Sequence, residues 1–334
     1  MAYTGPTNQY VSPILTNDYV NQTTEPGQIY PMYTSEYIPP PSPTSDYLYT
    51  NPIEQQYTNP VEQQYQIPSD EQLEQIRMAE FKNICDRHEI NPLFASKMRV
   101  LAGFKIVIVC DDSGSMNEVA NSGMADVNPY GSKPTRWDEL KVTVCTIIDI
   151  VSVLNDSGID IHFLNREGLM NVTNRCQIER FFCDKPRGYT PIVQTLKKIF
   201  NNKIDSKRLV LLATDGIPTD VFGITNIPAL RSALVYDRTQ RDYVTILACT
   251  DDENTMSYLN NWDTTIPRLD VIDDYNNEKK EILKVQGKHF KFSYGDFIVK
   301  CLLGSIDPWF DSLDEIRVGS SSGKSHTGCK CVLL

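Results

Sequence analysis

The sequence predicts an α/β protein with a Rossmann-like, doubly wound and mostly parallel central sheet flanked by helices. Short apolar runs that indicate buried strands alternate with amphipathic helical stretches along much of the chain. This alternation is typical of parallel strands joined by crossover helices. In such folds, ligands bind beyond the carboxyl ends of the strands, where the strand order reverses. We therefore expect the functional residues to follow the strands directly.

The chain before the first predicted strand is expected to be helical. Ser69 and Gln72 form a capping-box pattern at the start of a first helix. A second, short helix is predicted to end near Leu101. We expect residues 69–104 to form a helical lead-in to a domain that covers residues 105–316.

Four apolar runs predict buried strands. They cover residues 105–110, 159–164, 208–214 and 243–249. Apolar residues at helical spacing predict helices between and after these strands. Thr135 and Asp138 open a long helix, Thr190 heads another that runs through Phe200, and a final helix covers residues 297–303.

Oxygen-bearing side chains cluster in three short motifs beside these strands. Asp111, Ser113 and Ser115 form an Asp-x-Ser-x-Ser motif after the first strand. Thr190 lies in a Gly-Tyr-Thr-Pro run, and Asp215 follows the third strand in an Ala-Thr-Asp-Gly run. Any one of these fragments also suits helix capping and turns. Together, two carboxylates and three hydroxyls form an all-oxygen set that predicts a hard divalent ion, Mg²⁺ or alternatively Mn²⁺.

The order and spacing of these five residues resemble the metal-ion-dependent adhesion site of the von Willebrand factor A domain, the module of integrin I domains and copines. The resemblance spans about residues 69–316 and implies the fold of that domain. It implies that the three hydroxyls contact the metal directly or through water, while Asp111 and Asp215 hold it at the base of the site. It also implies a protein partner that presents an Asp or Glu side chain to the metal.

A metal-dependent hydrolase is the alternative interpretation of the same residues. A bound metal can activate water, but hydrolysis also needs a general base and a substrate pocket. None of the four histidines lies in a motif; they are His88, His162, His289 and His326. We therefore predict a non-enzymatic adaptor with no catalytic residues.

Residues 1–68 differ in composition from the rest of the chain. They hold eleven of the twenty prolines and ten of the seventeen tyrosines, with six acidic residues and no Lys or Arg. Because they contain few aliphatic residues to bury, we expect them to be disordered. The proline-rich run at 39–43 suits a proline-binding domain, but a spacer without a dedicated partner fits equally well. A further alternative is a scaffold whose partner contacts are made by this segment.

Charge and composition argue against several classes of function. The formal net charge is −11 and no basic stripe is present, so nucleic-acid binding is not expected. The run from Gly319 to Ser325 has three residues between its glycines. A phosphate-binding loop needs four, so nucleotide binding is not expected either. No apolar run is long enough for a transmembrane helix, and the start of the chain does not resemble a signal peptide. Nine cysteines, several of them inside apolar runs, indicate reduced thiols and a cytoplasmic protein.

The last four residues, Cys331-Val-Leu-Leu, match the Cys-aliphatic-aliphatic-X pattern, and the final Leu favours geranylgeranylation of Cys331. One lipid chain gives only marginal membrane binding, so a second signal is required. Cys329 is the candidate, as a palmitoylation site. The ending resembles the tail of Ras-type GTPases. We expect residues 317–334 to form a flexible lipidated tail that holds the protein on the cytosolic face of a membrane.

Overall fold

The computed structural model describes residues 69–120, 133–250 and 252–318. The predicted disordered segment 1–68 lies outside the described residues, as do both predicted lipidation sites, Cys329 and Cys331. The described residues form a six-stranded sheet. Its strands are β1 (Phe104–Cys110), β2 (Ile159–Phe163), β3 (Leu169–Val172), β4 (Lys207–Thr214), β5 (Asp242–Ala248) and β6 (Leu269–Ile272). The strand order is β3-β2-β1-β4-β5-β6, and every neighbouring pair is parallel except β2–β3.

Helices connect and follow these strands. They are α1 (Asp70–Arg87), α2 (Pro92–Lys97), α3 (Arg136–Ser152), α4 (Glu179–Cys183), α5 (Ile192–Asn201), α6 (Ile227–Ser232), α7 (Glu253–Met256), α8 (Trp262–Thr265), α9 (Tyr275–Gln286), α10 (Tyr294–Leu303) and α11 (Pro308–Asp311). A π-helical turn, Ala233–Asp237, continues α6. No described helix combines the length and the apolar character needed to cross a bilayer. The predicted α/β class, with a mostly parallel sheet and flanking helices, is confirmed.

The sheet separates two hydrophobic cores. Successive side chains of a strand point to opposite faces, so Ile106 and Ile108 of β1 lie in one core, while Val107 and Val109 lie in the other. The first core receives residues of α1, α2, α3 and α10, and the second receives residues of α5, α6 and α8. Helices therefore cover both faces, as the alternation of strands and helices predicted.

The lead-in helices share the first of these cores. Phe94 of α2 is fully buried, and its ring lies 5.3 Å from that of Phe310 and 5.5 Å from that of Trp309, measured between centroids. Met98 and Leu101 are also fully buried. The N-terminal helices and the last helices of the domain thus pack together through aromatic contacts.

The strand order places a topological switch point between β1 and β4. From β1 the chain moves to β2 on one side, and later returns to β4 on the other side of β1. The connections after these two strands therefore diverge, which opens a crevice at their carboxyl ends. The backbone N–H of Asp111 donates to the carbonyl of Ala213 at 2.9 Å, so the two strand ends stay paired beneath this crevice.

All four predicted strands are present, to within one residue at each end. The predicted start of the helix at Thr190 is wrong. This helix, α5, begins at Ile192, with Pro191 at the N-cap. The backbone N–H of Thr190 donates to Thr219 Oγ1, and its carbonyl accepts from the Thr219 N–H, both at 2.9 Å. These bonds hold Thr190 in the preceding loop. The second lead-in helix, α2, is also shorter than predicted. Its α-helical part ends at Lys97, and a 3₁₀ helix follows over Met98–Gly103.

A buried group of charged side chains lies where β6 meets α9 and α10. Lys300 of α10 forms a buried ion pair with Glu278 of α9. Asp270 of β6 is 3% exposed, and its Oδ2 has no hydrogen-bond partner among the described residues. A side chain at Gly304 would clash with this oxygen, because a β carbon there would lie 1.6 Å from it. Burial raises the pKa of Asp270 to about 7, partly offset by Lys300.

Candidate metal site

Asp111 lies at the carboxyl end of β1, fully buried and held by two hydrogen bonds. Its Oδ1 accepts from the backbone N–H of Ser113 at 2.9 Å. Its Oδ2 accepts from the hydroxyl of Thr214, the last residue of β4, at 2.6 Å. Both carboxylate oxygens are thus fixed in orientation by the two central strands and the turn between β1 and α3.

Two serine hydroxyls link this turn to Asp215. The Oγ atoms of Ser113 and Ser115 lie 3.1 Å apart. Ser115 Oγ in turn donates to Asp215 Oδ1 at 2.7 Å. The short 3₁₀ helix Gly114–Asn117 produces this geometry, since it turns the chain directly after Ser113. Three oxygen atoms from two strand ends therefore form a continuous chain.

The loop that carries Thr190 closes the same crevice. The Gly114 N–H donates to the carbonyl of Gly188 at 3.1 Å, which ties this loop to the first motif. Thr190 Oγ1 and Ser115 Oγ both lie near Gly216, because a β carbon built there would lie 3.9 Å and 4.0 Å from them, respectively. The structure thus brings the five residues predicted as metal ligands to one edge of the sheet.

The negative charges of the two carboxylates in the site repel each other. Burial and then the charge of Asp215 raise the pKa of Asp111 to about 7, despite hydrogen bonds from Ser113 and Thr214. Burial also raises the pKa of Asp215, while hydrogen bonds from Ser115 and Arg136 lower it. A cation between two such carboxylates would offset both the lost hydration and the repulsion.

Arg136 is a charged neighbour of the site that the sequence did not reveal. Its Nη1 donates to Asp215 Oδ2 at 2.9 Å and lies 2.9 Å from Glu118 Oε2. One oxygen of Asp215 is therefore engaged by a protein cation, while the other faces Ser115. The Thr135–Asp138 capping box places Arg136 at the first position of α3, so the helix start positions the guanidinium.

Asp112 serves a different structural purpose from Asp111. It is fully buried, and its Oδ2 accepts from Arg166 Nε at 2.7 Å. Its Oδ1 accepts from the backbone N–H of Asn165 at 2.8 Å. Asp112 therefore anchors the loop after β2, with its charge balanced by Arg166.

The donor set is composed of oxygen atoms alone. Within the three described stretches, no group of three or more His, Cys, Asp or Glu side chains is arranged to hold a metal. The candidate site instead combines two carboxylates with the hydroxyls of Ser113, Ser115 and Thr190. Hard ions such as Mg²⁺ prefer these donors, whereas Zn²⁺ sites draw on thiolate and imidazole ligands. The residues present thus fit a hard divalent ion.

Thr214→Val is expected to weaken the site without changing its shape. The substitution removes the only hydroxyl bonded to Asp111 Oδ2 among the described residues and leaves that oxygen buried. We expect a loss of about 1–3 kcal/mol in the free energy of unfolding in EDTA. We also expect about 10–100-fold weaker Mg²⁺ binding, because the hydrogen bond that orients the proposed ligand Asp111 is lost. Urea unfolding and calorimetric titration measure the two effects, and Mg²⁺ affinity unchanged from the wild type would contradict this role.

No family model matches the sequence, and the comparison with curated proteins also found no match. Similar solved structures include the PilB minor pilin from Streptococcus sanguinis, with 13% identity and a TM-score of 0.36 over 53% of this chain and 58% of that chain. A point mutant of the same pilin has 12% identity and a TM-score of 0.40 over the same shares. Proximal thread matrix protein 1 from the mussel byssus has 15% identity and a TM-score of 0.33, over 55% of this chain and 46% of that chain. The chain thus matches little more than half of the pilin, and these low values identify neither a family nor a function.

Proposed function

We propose that this protein is a non-enzymatic adaptor with a von Willebrand factor A domain, which binds an acidic residue of a partner protein at a Mg²⁺-loaded site. The ligands would be Asp111, Ser113, Ser115, Thr190 and Asp215, with Mn²⁺ as a second acceptable ion. The observation behind this proposal is the hydrogen-bonded chain of the Ser113, Ser115 and Asp215 oxygen atoms at the switch point between β1 and β4, with Asp111 and Thr190 beside it. The family is part of the proposal and rests on the sequence resemblance alone.

Each residue has a distinct part in the proposed site. Thr214 and the Ser113 N–H orient Asp111 at the end of β1. Arg136 orients Asp215 and balances part of its charge. When bound, Mg²⁺ would supply a coordination position for a carboxylate oxygen of the partner. Few ligands are charged, so the site retains attraction for that anion.

Metal-dependent hydrolysis remains the alternative function. Of the described histidines, His88 pairs with Asp149 and His162 lies within β2, and no hydrogen bond joins any of them to the five candidate ligands. No described histidine is therefore positioned as a general base at the site. A turnover screen on phosphoesters and peptides, with Asp215→Ala as the control, separates the functions. Turnover that requires Asp215 would replace the adaptor proposal with a hydrolase.

A pull-down from a eukaryotic lysate tests the adaptor proposal. The full chain is immobilised in Mg²⁺ or in EDTA, beside an Asp111→Ala variant. Asp156→Ala serves as the control, because the Asp156 side chain is 82% exposed. We expect partners that are retained by the wild type and the control only in Mg²⁺, and that Asp111→Ala does not retain. Partners indifferent to EDTA and to Asp111 would contradict the proposal.

The same pull-down with residues 1–68 deleted tests the scaffold alternative. If the N-terminal segment makes the contacts, its deletion abolishes partner binding, whereas Ser113→Ala leaves that binding intact. The metal-site proposal predicts the opposite pattern for both variants.

The membrane tether is a separate part of the proposal and rests on the sequence pattern alone. Geranylgeranylation of Cys331, assisted by palmitoylation of Cys329, would hold the domain at the cytosolic face of a membrane. Cys331→Ser is expected to move most of the protein from the membrane fraction to the soluble fraction of cells. Cys176→Ser, at an exposed cysteine of the described domain, serves as the control and should leave fractionation unchanged. Membrane fractionation unaffected by Cys331→Ser would contradict the tether.

A further inference from the structure

The connection after Asp215 contains a tightly bonded turn, residues 219–225, which we call the hairpin loop. Thr219 and Thr225 form an antiparallel bridge at its base. The Asp220 side chain accepts from the backbone N–H groups of Phe222 and Ile224 at 2.8 and 2.9 Å. The Asp220 N–H donates to the Ile224 carbonyl at 2.9 Å. These bonds give the hairpin loop a defined backbone conformation.

This defined turn exposes large apolar side chains. Phe222 is 78% exposed, Ile224 is 65% exposed and Val221 is 50% exposed. Tyr189, which is 54% exposed, lies against the turn: a β carbon on Gly223 would lie 2.6 Å from its ring. Gly223 also has a φ of +82°. A side chain there is therefore disfavoured both by the backbone conformation and by the contact with Tyr189. We call Tyr189, Val221, Phe222 and Ile224 the apolar rim.

The apolar rim lies directly beside the candidate metal site. Tyr189 precedes Thr190 in the chain. Thr219, at the base of the hairpin loop, exchanges two hydrogen bonds with Thr190. The connection that forms the loop starts from Asp215. A partner side chain that reaches the metal site therefore enters next to this apolar surface.

Within the hairpin loop and its flanking residues, the charge fits a polypeptide partner better than a membrane; the exposed Lys185 and Arg187 lie on the separate loop that carries Tyr189. Residues 216–230 contain no Lys or Arg. Asp220 is their sole acidic residue, and its carboxylate is occupied by two backbone N–H groups of the loop. Binding to anionic lipids draws on basic residues, which this stretch lacks. Binding to an apolar side chain of a partner protein does not require basic residues. Exposed apolar patches mark protein or membrane interaction sites, and the lack of basic residues in this stretch favours a protein.

We infer that the apolar rim selects partner segments in which the acidic residue stands beside large apolar side chains. This inference rests on the proposed function, because the acidic residue is the one bound at the metal site. The neighbouring apolar side chain of the partner covers Phe222 and Ile224. The metal site thus binds the charge, and the apolar rim determines which acidic segments are accepted.

Fluorescein-labelled synthetic decapeptides test this inference with the full chain, by fluorescence anisotropy in Mg²⁺ and in EDTA. The first peptide has a central Glu flanked by Leu and Phe, the second has Ser in place of the apolar residues, and the third has Gln in place of Glu. We expect the first to bind at least about tenfold more tightly than the second in Mg²⁺. Phe222→Ser should remove most of that preference. Tyr236→Ser, at an equally exposed aromatic residue in the π-helical turn, should retain it.

The outcomes separate this inference from the proposed function. Selection by the apolar rim is contradicted if both Glu peptides bind with equal affinity in Mg²⁺. It is also contradicted if Phe222→Ser leaves the preference intact. Neither result contradicts ligand binding at the metal site. Binding of the first and third peptides alike in EDTA overturns both. So does the absence of binding by all three peptides.

Two further measurements exclude other occupants of the apolar rim. Flotation with phosphatidylcholine and phosphatidylserine vesicles should show no dependence on Phe222 for the unlipidated full chain. The mass measured by light scattering should also be the same for the wild type and Phe222→Ser. A Phe222-dependent association with vesicles or with a second copy overturns the assignment to a partner segment.

Discussion

Asp111→Asn is expected to stabilise the metal-free protein and to abolish its response to Mg²⁺. The carboxylate is fully buried and, with no metal, faces the charge of Asp215, which contributes to raising its pKa to about 7. Asparagine keeps the shape and an acceptor for the Ser113 N–H, while Thr214 can rotate its hydroxyl toward the new amide. Removing the charge should raise the free energy of unfolding at pH 8 in EDTA by about 2–4 kcal/mol. The measurement is urea unfolding of both proteins.

The metal response of this variant should change in the opposite direction. Saturating Mg²⁺ is expected to stabilise the wild type by about 2–3 kcal/mol at a hundredfold excess over the dissociation constant, and Asp111→Asn not at all. Asp112→Asn is the matched control, because that buried charge is balanced by Arg166 and its loss should destabilise the protein. An Asp111→Asn variant that is less stable than the wild type in EDTA, and still responds to Mg²⁺, would exclude this account of Asp111.

The stability of the protein is expected to fall as the pH rises from about 4 to about 7, in part through Asp270. Burial holds the folded-state pKa of this carboxyl near 7, above its unfolded value. The folded protein therefore keeps a proton that the unfolded chain has released. The stabilising contribution is complete below the unfolded pKa and is lost as the pH passes the folded pKa. For a shift of this size the loss is about 4 kcal/mol at most.

Asp270→Asn isolates this contribution. The amide imitates the protonated carboxyl next to Gly304, so the variant should lose less stability than the wild type between pH 5 and pH 8. Urea unfolding in EDTA at the two pH values gives the difference, with Asp156→Asn at an exposed position as the control. Parallel pH profiles for the wild type and Asp270→Asn would show that Asp270 is charged in the folded protein at both pH values.

The central part of the fold could be predicted from local pattern alone. β1, β4 and β5 are buried on both faces, so each appears in the sequence as a mainly apolar run. The starts of α1 and α3 were predictable for a different reason. Ser69 with Gln72, and Thr135 with Asp138, satisfy the first backbone N–H groups of each helix through residues three positions apart.

Elements at the edges of the sheet could not be predicted in this way. β3 has four residues, is antiparallel and pairs only with β2, so its side chains show no continuous apolar run. β6 is equally short and includes the buried Asp270, which breaks the apolar pattern. The sequence Tyr275–Gln286 forms α9 with few apolar residues, because it buries the polar Glu278 and Gln286.

The residues that orient the proposed ligands could not be predicted from the sequence. The five oxygen-bearing residues lie in recognisable motifs, but their partners are distant in the chain. Arg136 and Asp215 are 79 positions apart, and Thr214 and Asp111 are 103 positions apart. Only the pairing of β1 with β4 brings the second pair together. Long-range partners of this kind follow from the topology of the sheet and leave no local pattern.

An anomalous diffraction measurement on crystals of the protein grown with Mn²⁺ tests the metal site most directly. We predict an anomalous peak at the carboxyl ends of β1 and β4, about 2 Å from the hydroxyl oxygens of Ser113 and Ser115. Asp111→Asn crystals should lack this peak. A wild-type map with no peak there, and with Arg136 still bound to Asp215, would contradict the proposed site.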